Sequence, residues 1–388
     1  MVECVQKFAD LVGSHADKND VFLMEEEATK LTLDVIGRAV LDYDFQALTG
    51  KCEFLTILRK TLSWFPNVQS INPFHRRHPI RPWAQQYYKR RMDDCIGKIL
   101  DEKFSSRQLA HGSSSKKKSG IDLALEAYYK DSGKKSDSNV LAMDPEFRRM
   151  AIVNFLILIF AGHDTTASTI CYIYHLLAKH PDKLAKVRSE LDDVFGKNGN
   201  ATEQLKENPY IINTLEYTQA VIREVLRLWP PASTVRQGRP DYFIRDPSTG
   251  QMLPTDNLLV WIPSIVIHRW PKLWGEDVSE FRPERFLPEN SHNLPADAWR
   301  PFEKGPRNCI GQELAMIELK LTVAMTIREF DVVARFDELH KLDRDVMWAA
   351  QTESRGPQEV FGDEMYQILV VAGKPRDGMP ARAARSKY

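Results

Sequence analysis

Apolar residues recur at the three- and four-residue spacing of amphipathic helices through most of the first third of the chain. Leu31, Val35, Ala39 and Val40, for example, share one side of a helical projection, and charged residues occupy the other side. The pattern predicts helices over Met1–Ala9, Glu25–Tyr43, Cys52–Trp64, Trp83–Phe104 and Asp122–Lys130.

The most continuous helical pattern begins at Asp144, which is a favourable N-cap and is followed by a proline at the first helical position. The next proline is Pro181, so we predict a single helix from Pro145 to about His180. Such a helix has about 35 residues and is over about 50 Å long, enough to cross a whole domain.

The pattern changes twice in the second half of the chain. Two more helices, over Pro181–Phe195 and Tyr210–Trp229, precede a strand-like region in which Asp241–Ile244 and Asn257–Ile262 are predicted to pair as a hairpin. A helix then starts at Gln312 and is followed by a closing set of strands over 331–374.

These elements predict a mainly helical fold with small β-sheets, an α+β arrangement, in one domain over residues 1–388. Polar stretches at 105–120 and 131–139 lack the apolar residues that a core needs, so we predict surface loops there. Residues 379–388 are predicted to be a disordered tail.

Composition excludes several classes of protein. Lysine plus arginine number 53 and aspartate plus glutamate number 53, so no basic surplus favours nucleic acid. The longest uncharged run, 150–163, is shorter than a membrane helix, and the chain as given is expected to be soluble. The cysteines are odd in number and form no C-x-x-C pair, which excludes a disulfide framework and fits a reducing compartment; they are Cys4, Cys52, Cys95, Cys171 and Cys309.

One of these cysteines stands in a setting that favours a thiolate. Cys309 lies in a tight turn that contains Gly305-Pro306, directly before the helix that starts at Gln312. The unpaired N–H groups at a helix N-terminus favour an anionic sulfur, and Lys304 and Arg307 add positive charge. A lone cysteine is more often a small buried hydrophobic residue, so a functional role has to be supported by the sequence around it.

A second unusual stretch lies in the middle of the long helix. Residues 161–166 read A-G-H-D-T-T, in which glycine, aspartate and threonine all have low helix propensity. The small Ala161-Gly162 pair leaves room beside the helix, and a threonine hydroxyl can bond a backbone carbonyl, which makes a local opening or π-bulge plausible. The alternative is an irregular helix in which Asp164 and Thr165 have no functional role.

A third pattern joins charged residues from separate segments. Glu224 and Arg227 are three residues apart on a helix, a spacing that by itself indicates only an ion pair on the helix face. Trp229-Pro230-Pro231 ends that helix, and the segment 281–286, which contains Arg285, reads F-R-P-E-R-F.

The cysteine stretch, written F-x-x-G-x-R-x-C-x-G, resembles the haem-binding loop of the cytochrome P-450 monooxygenases. Its defined positions are Phe302, Gly305, Arg307, Cys309 and Gly311. The A-G-x-D-T-T stretch resembles the oxygen-binding groove of that family, and the Glu224, Arg227 and Arg285 pattern resembles its E-x-x-R and P-E-R-F elements. The resemblance implies a cytochrome P-450 fold without its N-terminal portion.

The resemblance also implies roles for these residues around a haem b cofactor. Cys309 would be the axial ligand of the iron, with Phe302 near the sulfur and Arg307 beside a propionate; Arg236 would be a second propionate partner. Ala161 would leave room for dioxygen, and Asp164 and Thr165 would relay protons. Glu224, Arg227 and Arg285 would form a buried structural triad whose disruption costs about 3–5 kcal/mol.

The implied activity is insertion of one oxygen atom from O2 into a small, hydrophobic organic substrate. No G-x-G-x-x-G stretch is present, so electrons are expected from a separate NADPH-cytochrome P-450 reductase. The loops and tail resemble eukaryotic members, in particular fungal enzymes of secondary metabolism. Two alternatives stay open: a haem-binding sensor or carrier, and a degenerate or truncated relative without activity.

The resemblance carries a further expectation about the start of the chain. Family members usually have a membrane anchor, a first sheet and a W-x-x-x-R helix that grips a propionate, and none of these is found in the sequence. We therefore expect a parent protein with about a hundred more residues and an anchor in the endoplasmic reticulum membrane, facing the cytosol. We also expect the chain alone to bind haem weakly or not at all.

Overall fold

The computed structural model describes residues 1–50, 52–64, 78–109, 118–131, 143–342, 359–369 and 372–388. Helices dominate this part of the chain, and each of the five segments predicted for the first third contains one. In chain order, α1 to α12 are Val2–Lys18, Met24–Ile36, Glu53–Ser63, Arg81–Leu109, Gly120–Asp131, Pro145–Lys179, Pro181–Phe195, Ala201–Glu207, Glu216–Leu228, Ser264–Ile267, Pro271–Trp274 and Gln312–Thr326. Helices α1 and α4 extend beyond the predicted ends, whereas α2 ends at Ile36 and is followed by a π-helical turn instead of continuing to Tyr43.

The strands are short and pair antiparallel in small sheets. Within the described residues the strand orders are β1-β9-β6, β2-β5, β3-β4 and β7-β8, which confirms the predicted α+β arrangement. The strands β1 to β9 are Phe22–Leu23, Thr234–Gln237, Phe243–Arg245, Met252–Pro254, Leu259–Ile262, Phe330–Ala334, Gln367–Leu369, Gly373–Pro375 and Pro380–Arg385.

The long helix α6 has the predicted bounds for the predicted reason. The Asp144 side chain accepts hydrogen bonds from the backbone N–H groups of Glu146 and Phe147, both at 3.0 Å, and Pro145 is the first helical residue. Pro181 then starts the next helix. In the part of the chain that the structure describes, α6 is the one helix long and apolar enough to cross a membrane, and 44% of its most apolar window is buried in the protein.

Two hydrophobic clusters meet along α6. Ile170 and Tyr172, in its C-terminal half, pack in a cluster that includes residues of α1, α9 and α12. Phe155 and Ile159, in its N-terminal half, pack in a second cluster with residues of α3 and α4. The A-G-H-D-T-T stretch therefore lies where the two clusters join, and helix assignment is continuous through it. The expected π-bulge is absent there; the π-helical turn among the described residues is at Gly37–Leu41, after α2.

The end of the chain is not the disordered tail that we predicted for residues 379–388. Pro380–Arg385 is the central strand of the sheet β1-β9-β6. Ala381 and Ala383 are buried on one face, and on the other face Arg382 forms an ion pair with Glu338 at 2.6 Å. The prediction was wrong because the segment P-A-R-A-A-R is only weakly apolar, although Ala381, Arg382 and Ala383 follow the two-residue period of a strand.

The predicted hairpin is also corrected. Phe243–Arg245 pairs with Met252–Pro254, the first strand-forming residues after the turn, while Leu259–Ile262 pairs back with Thr234–Gln237. The turn between β3 and β4 is held by the Asp246 carboxylate, which accepts hydrogen bonds from the backbone and side chain of Ser248 at 2.8 and 2.6 Å.

Other boundaries differ in smaller ways. Residues 105–109 of the first predicted loop belong to α4, and Asp131 is the last residue of α5. The remainder of both loops lies largely outside the described residues, which resume at 118 and at 143. The predicted helix Tyr210–Trp229 is divided into a 3-10 helix, Pro209–Thr214, and α9.

Candidate active site

The loop that carries Cys309 is closed by backbone hydrogen bonds. The Cys309 N–H donates to the Phe302 carbonyl at 2.8 Å, and the Asn308 N–H donates to the Gly305 carbonyl at 3.1 Å. Gly305 has a φ of 80°, a conformation that residues with a Cβ rarely adopt. The Cys309 side chain is exposed, three residues before α12 begins. The loop thus presents a thiol at a helix N-terminus with little freedom in the backbone behind it.

Side chains anchor the same loop to its surroundings. The Arg300 Nε group donates to Glu303 Oε1 at 2.6 Å, and Lys304 Nζ donates to Asp297 Oδ1 at 2.6 Å. Burial opposes a charge on Glu303, but hydrogen bonds from Arg300 and from Thr234 of β2 lower the pKa of its carboxyl overall. The hydrogen bond from Thr234 ties the cysteine loop to β2, the strand that also carries Arg236.

The three residues of the predicted triad form one buried, charged cluster. Arg227 donates to both carboxylate oxygens of Glu224, through Nε at 2.7 Å and Nη2 at 2.8 Å. Arg285 Nε donates to Glu224 Oε1 at 3.1 Å. Glu224 and Arg227 are 0% exposed and Arg285 is 7% exposed. Arg227 Nη1 also donates to the backbone carbonyls of His268 and Val278, at 2.8 and 2.7 Å, so the cluster fixes backbone as well.

A residue that the sequence reasoning missed connects this triad to the cysteine loop. The His268 ring is fully buried; Nδ1 lies 3.1 Å from the Arg227 carbonyl and Nε2 lies 2.9 Å from the backbone N of Arg300. A carbonyl only accepts and an N–H only donates, so the ring is neutral with its proton on Nδ1. Burial lowers the pKa of His268 to about 4, which keeps this form. In the sequence His268 is a single histidine beside an apolar run, and no motif around it indicates that it links the triad to the cysteine loop.

The groove stretch of α6 has three differently placed side chains. Thr165 Oγ1 donates to the Ala161 carbonyl at 2.8 Å, and both residues are at least partly exposed. The room beside Gly162 is filled by α2, because an added Cβ would lie 2.8 Å from Ile36 Cδ1. Asp164 is buried, and its Oδ1 forms an ion pair with Lys374 Nζ at 2.6 Å. Only Ala161 and Thr165 therefore face open space.

The helix that follows the cysteine loop, α12, packs against α6. Leu314, in the first turn of α12, packs against the hydrophobic cluster that includes Phe155 and Ile159. Phe155 and Ile159 are 4% and 1% exposed, so they belong to the hydrophobic core. Arg236 and Arg307 are both exposed, and the Arg236 guanidinium contacts the Val235 carbonyl at 3.0 Å.

Comparison with known proteins identifies the family. A family model described as cytochrome P-450 matches residues 1–354. The chain is 36% identical to cytochrome P-450 monooxygenase acrF of Aspergillus aculeatus, over 98% of this chain and 76% of that protein. It is also 36% identical to cytochrome P-450 monooxygenase polC of Polytolypa hystricis, over 99% of this chain and 67% of that protein. The chain belongs to the cytochrome P-450 family.

A solved structure gives the same result for the fold. The crystal structure of a cytochrome P-450 (CYP102L1) superimposes with a TM-score of 0.73 over 99% of this chain and 73% of that one, at 23% identity. The fold of this cytochrome P-450 is thus confirmed, and the named relatives make it a monooxygenase, an oxidoreductase.

The family and its fold bind haem b, and the cysteine loop of this cytochrome P-450 fits such a group. A Cβ added at Gly305 would meet nothing within 4 Å, and one added at Gly311 would meet only Cys309 Sγ, at 3.9 Å. Both glycines therefore border open space, and at Gly311 that space adjoins the sulfur. A soft thiol ligand and nearby exposed arginines are the donor set that an iron porphyrin with two carboxylates requires.

Proposed function

We propose that Cys309 is the axial thiolate ligand of a haem iron and that this monooxygenase inserts one atom of O2 into a small hydrophobic substrate. The observation that carries the proposal is the exposed Cys309 thiol, held by a closed loop at the start of α12, a helix that packs against α6. Arg307 and Arg236, both exposed, would pair with the haem carboxylates. When bound, the haem supplies the dioxygen chemistry for which side chains have no equivalent.

On the α6 side of the site, side chains of the protein itself would deliver protons. Thr165 Oγ1 donates to the Ala161 carbonyl at 2.8 Å, which leaves its oxygen lone pairs free to accept a proton donor. Asp164 is adjacent in sequence and supplies an ionisable group that threonine lacks. We infer that the Thr165 hydroxyl and the Asp164 carboxylate deliver protons. The small side chain of Ala161 leaves space beside them.

One face of α6 supports a hydrophobic substrate. Val153, Ile157, Ala161 and Thr165 are spaced by four residues and so share a face of the helix. Val153 is 39% exposed and Ile157 is 58% exposed. An apolar surface that leads to the groove residues suits a compound with few charges. Ala232 and Ser233, exposed before β2, are further candidate contacts.

Electrons are assigned to a separate reductase, because the sequence contains no G-x-G-x-x-G stretch for a dinucleotide. The test is turnover under 18O2 of haem-reconstituted protein with NADPH, a cytochrome P-450 reductase and a panel of apolar compounds. We expect products that carry one 18O atom, and no label from H218O. A haem-loaded protein that consumes no NADPH and labels nothing across the panel would favour the sensor or carrier alternative.

A further inference from the structure

A cleft lies where the C-terminal ends of α6 and α9 meet the turn at residues 360–363. Its volume is about 500 Å³, which is within the range of sites that bind small molecules. Arg269 lines it, and we call it the Arg269 cleft. Its apolar walls include Leu176, Trp229, Phe281 and Phe361. Neither Cys309 nor Thr165 lines this cleft, so the proposed function leaves it without a role.

Arg269 packs against two aromatic rings of the cleft. Its guanidinium carbon is 4.7 Å from the centroid of the Trp229 ring and 4.2 Å from that of the Phe361 ring. Because the two centroids are 6.1 Å apart, the rings do not sandwich the cation from opposite faces. The Arg269 Nη2 group donates to the carbonyl of Leu228, the last residue of α9, at 2.8 Å. These contacts hold the guanidinium in one place and leave other N–H groups to bind an acceptor.

The Arg269 guanidinium lacks the acidic partner that two other buried arginines have. Arg227 and Arg285 both donate to the Glu224 carboxylate. In the part of the chain that the structure describes, no carboxylate lies within ion-pair distance of Arg269, and its buried Nε atom has no hydrogen-bond partner. Burial, together with the charge of Arg227, lowers the pKa of Arg269 to about 10, which still leaves a cation at neutral pH. A half-buried cation with an unused donor favours the binding of an anion.

Asp363 is the acid of the cleft whose charge acts on Arg269, but it is bound to other groups. Its Oδ1 and Oδ2 atoms lie 2.8 and 3.0 Å from Nε2 of His175, and Lys179 Nζ donates to Oδ2 at 3.1 Å. The Met365 N–H donates to Oδ1 at 2.9 Å. Asp363 is thus held by α6 and by its own loop, and it would lose these contacts if it turned to Arg269.

The turn that carries Phe361 is closed and strained. Val360 and Asp363 exchange two backbone hydrogen bonds, at 3.0 and 3.2 Å. Phe361 has a φ of 54°, a left-handed conformation that is rare for a residue with a bulky side chain. It is also 59% exposed, so burial in the core does not explain why the strain is retained. Strained residues of this kind are typical of ligand clamps.

The charges around the cleft indicate which kind of anion it suits. Besides Arg269, the described residues that line it include three acids and three lysines or arginines, namely Asp182, Glu280, Asp363, Lys179, Lys183 and Arg282. The cleft therefore offers a dianion such as phosphate little excess of positive charge to offset its large desolvation cost. A monocarboxylate costs less to desolvate, and its two oxygens match the fork of a guanidinium. The apolar walls suit a ligand whose remaining part is apolar.

We propose that the Arg269 cleft binds a small monocarboxylate with an apolar or aromatic body. The carboxylate pairs with the Arg269 guanidinium, and the body packs among Trp229, Phe281 and Phe361. The proposal does not rest on the proposed function, because occupation of the cleft needs neither haem nor turnover.

The first test is calorimetric titration of the chain with phenylacetate, indole-3-acetate and octanoate. We expect binding at one site, and we expect the primary amide of each bound acid to bind at least about tenfold more weakly, because its charge-assisted hydrogen bonds are lost. Inorganic phosphate should also bind more weakly than the carboxylates. The proposal is overturned if none of the three acids binds, if acid and amide bind equally, or if phosphate binds more tightly than every acid.

Two arginine variants assign the binding to the cleft. Arg269→Gln should weaken binding of the carboxylates at least about tenfold. Arg223→Gln is the matched control: the Arg223 guanidinium carbon is 4.9 Å from the Phe286 ring and 4.7 Å from the Trp299 ring, but Arg223 does not line the cleft. Arg223→Gln should bind the carboxylates as the wild type does. A folded Arg269→Gln protein with wild-type affinity would overturn the proposal.

A second pair of variants keeps the test decisive if Arg269→Gln does not fold. Ser279 is exposed and lines the cleft, so Ser279→Glu adds a carboxylate to the wall without disturbing the core. It should weaken binding of the acids through repulsion and by competing for Arg269. Ser279→Gln, which has the same size and no charge, should keep the wild-type affinity. Equal affinity of these two variants for the acids would contradict the assignment of the carboxylate to this cleft.

Discussion

At the scale of single residues, two threonines on α6 make the same kind of hydrogen bond but differ in exposure. Comparing them distinguishes a structural role from a functional one. Thr165 Oγ1 donates to the Ala161 carbonyl at 2.8 Å, and Thr169 Oγ1 donates to the Thr165 carbonyl at 2.9 Å. Both therefore bond the backbone one turn earlier in the same way. Thr169 is buried, at 2% exposed, whereas Thr165 is partly exposed beside Ala161. The difference lies in what each hydroxyl can reach.

We expect Thr165→Ala to keep the fold, because alanine is favourable inside helices. Coupling, the ratio of product formed to NADPH consumed, should fall by about tenfold or more, with the lost reducing equivalents recovered as peroxide, because a positioned proton donor is missing. The measurement is product and peroxide per NADPH consumed. Thr169→Ala, which removes the same kind of backbone hydrogen bond, should couple as the wild type does. Equal coupling in both variants would leave Thr165 with a structural role alone.

His268 gives the chain a pH dependence that can be assigned to one ring. Its pKa is lowered by burial to about 4 from an ordinary value of 6.5. Above pH 6.5 the ring is neutral in the folded and unfolded chain, so its titration does not lower the free energy of unfolding. As pH falls from 6.5 to about 4 the unfolded chain binds the proton first, and the free energy of unfolding drops by up to about 3 kcal/mol.

His268→Gln should remove this drop, because an amide can donate to the Arg227 carbonyl and accept from the Arg300 N–H without titrating. Denaturant unfolding at several pH values between 4 and 6.5 is the measurement. The exposed His340 serves as the control, and His340→Gln should keep the wild-type pH dependence. Parallel curves for wild type and His268→Gln would assign the dependence to other groups.

At the scale of elements, the contact between α2 and α6 sets the position of the groove. A Cβ at Gly162 would lie 2.8 Å from Ile36 Cδ1 and 3.0 Å from Ile36 Cγ1. Real Cβ atoms do not approach so closely, so a side chain at residue 162 would force the Ile36 side chain or the two helices to shift. The glycine therefore serves the packing of α2 against α6, while Ala161 borders the open side.

We expect Gly162→Ala to lower the free energy of unfolding by about 1–3 kcal/mol through overpacking, although alanine ordinarily stabilises a helix interior by about 1 kcal/mol. In an Ile36→Val background, which lacks the Cδ1 atom, the same change should cost clearly less. Denaturant unfolding of the four proteins in this double-mutant cycle measures the coupling energy. A Gly162→Ala protein that is more stable than wild type in both backgrounds would contradict the contact.

At the scale of the whole molecule, the elements that were predicted most accurately are those that a short, continuous stretch of sequence determines. The N-cap at Asp144 and the proline at 181 define α6 locally, and the cysteine loop is a continuous motif. The pairing of β2 with β5 and the strand at Pro380–Arg385 depend on residues far apart in the chain, and both were missed. Local pattern reports which residues form an element but not which partner will satisfy its edge.

The same limit applies to the candidate site. Cys309, Thr165 and the triad were found because their neighbours in sequence form motifs. His268 and Lys374 act on residues 32 and 210 positions away, Arg300 and Asp164, and carry no motif of their own. Glu25, whose Oε1 accepts a hydrogen bond from Lys374 Nζ at 2.7 Å, is farther still, 349 positions from Lys374. Buried polar networks assembled from distant segments become visible only when the fold brings them together.

The central claim, that Cys309 provides the axial thiolate, is tested most directly by the absorption spectrum of haem-reconstituted protein, reduced and exposed to carbon monoxide. We predict the strongly red-shifted Soret band of a thiolate-ligated haem in the wild type. Cys95→Ala, a change at a half-buried cysteine outside the loop, should keep that band, and Cys309→Ala should lose it. A Cys309→Ala protein that retains the red-shifted band would contradict the claim.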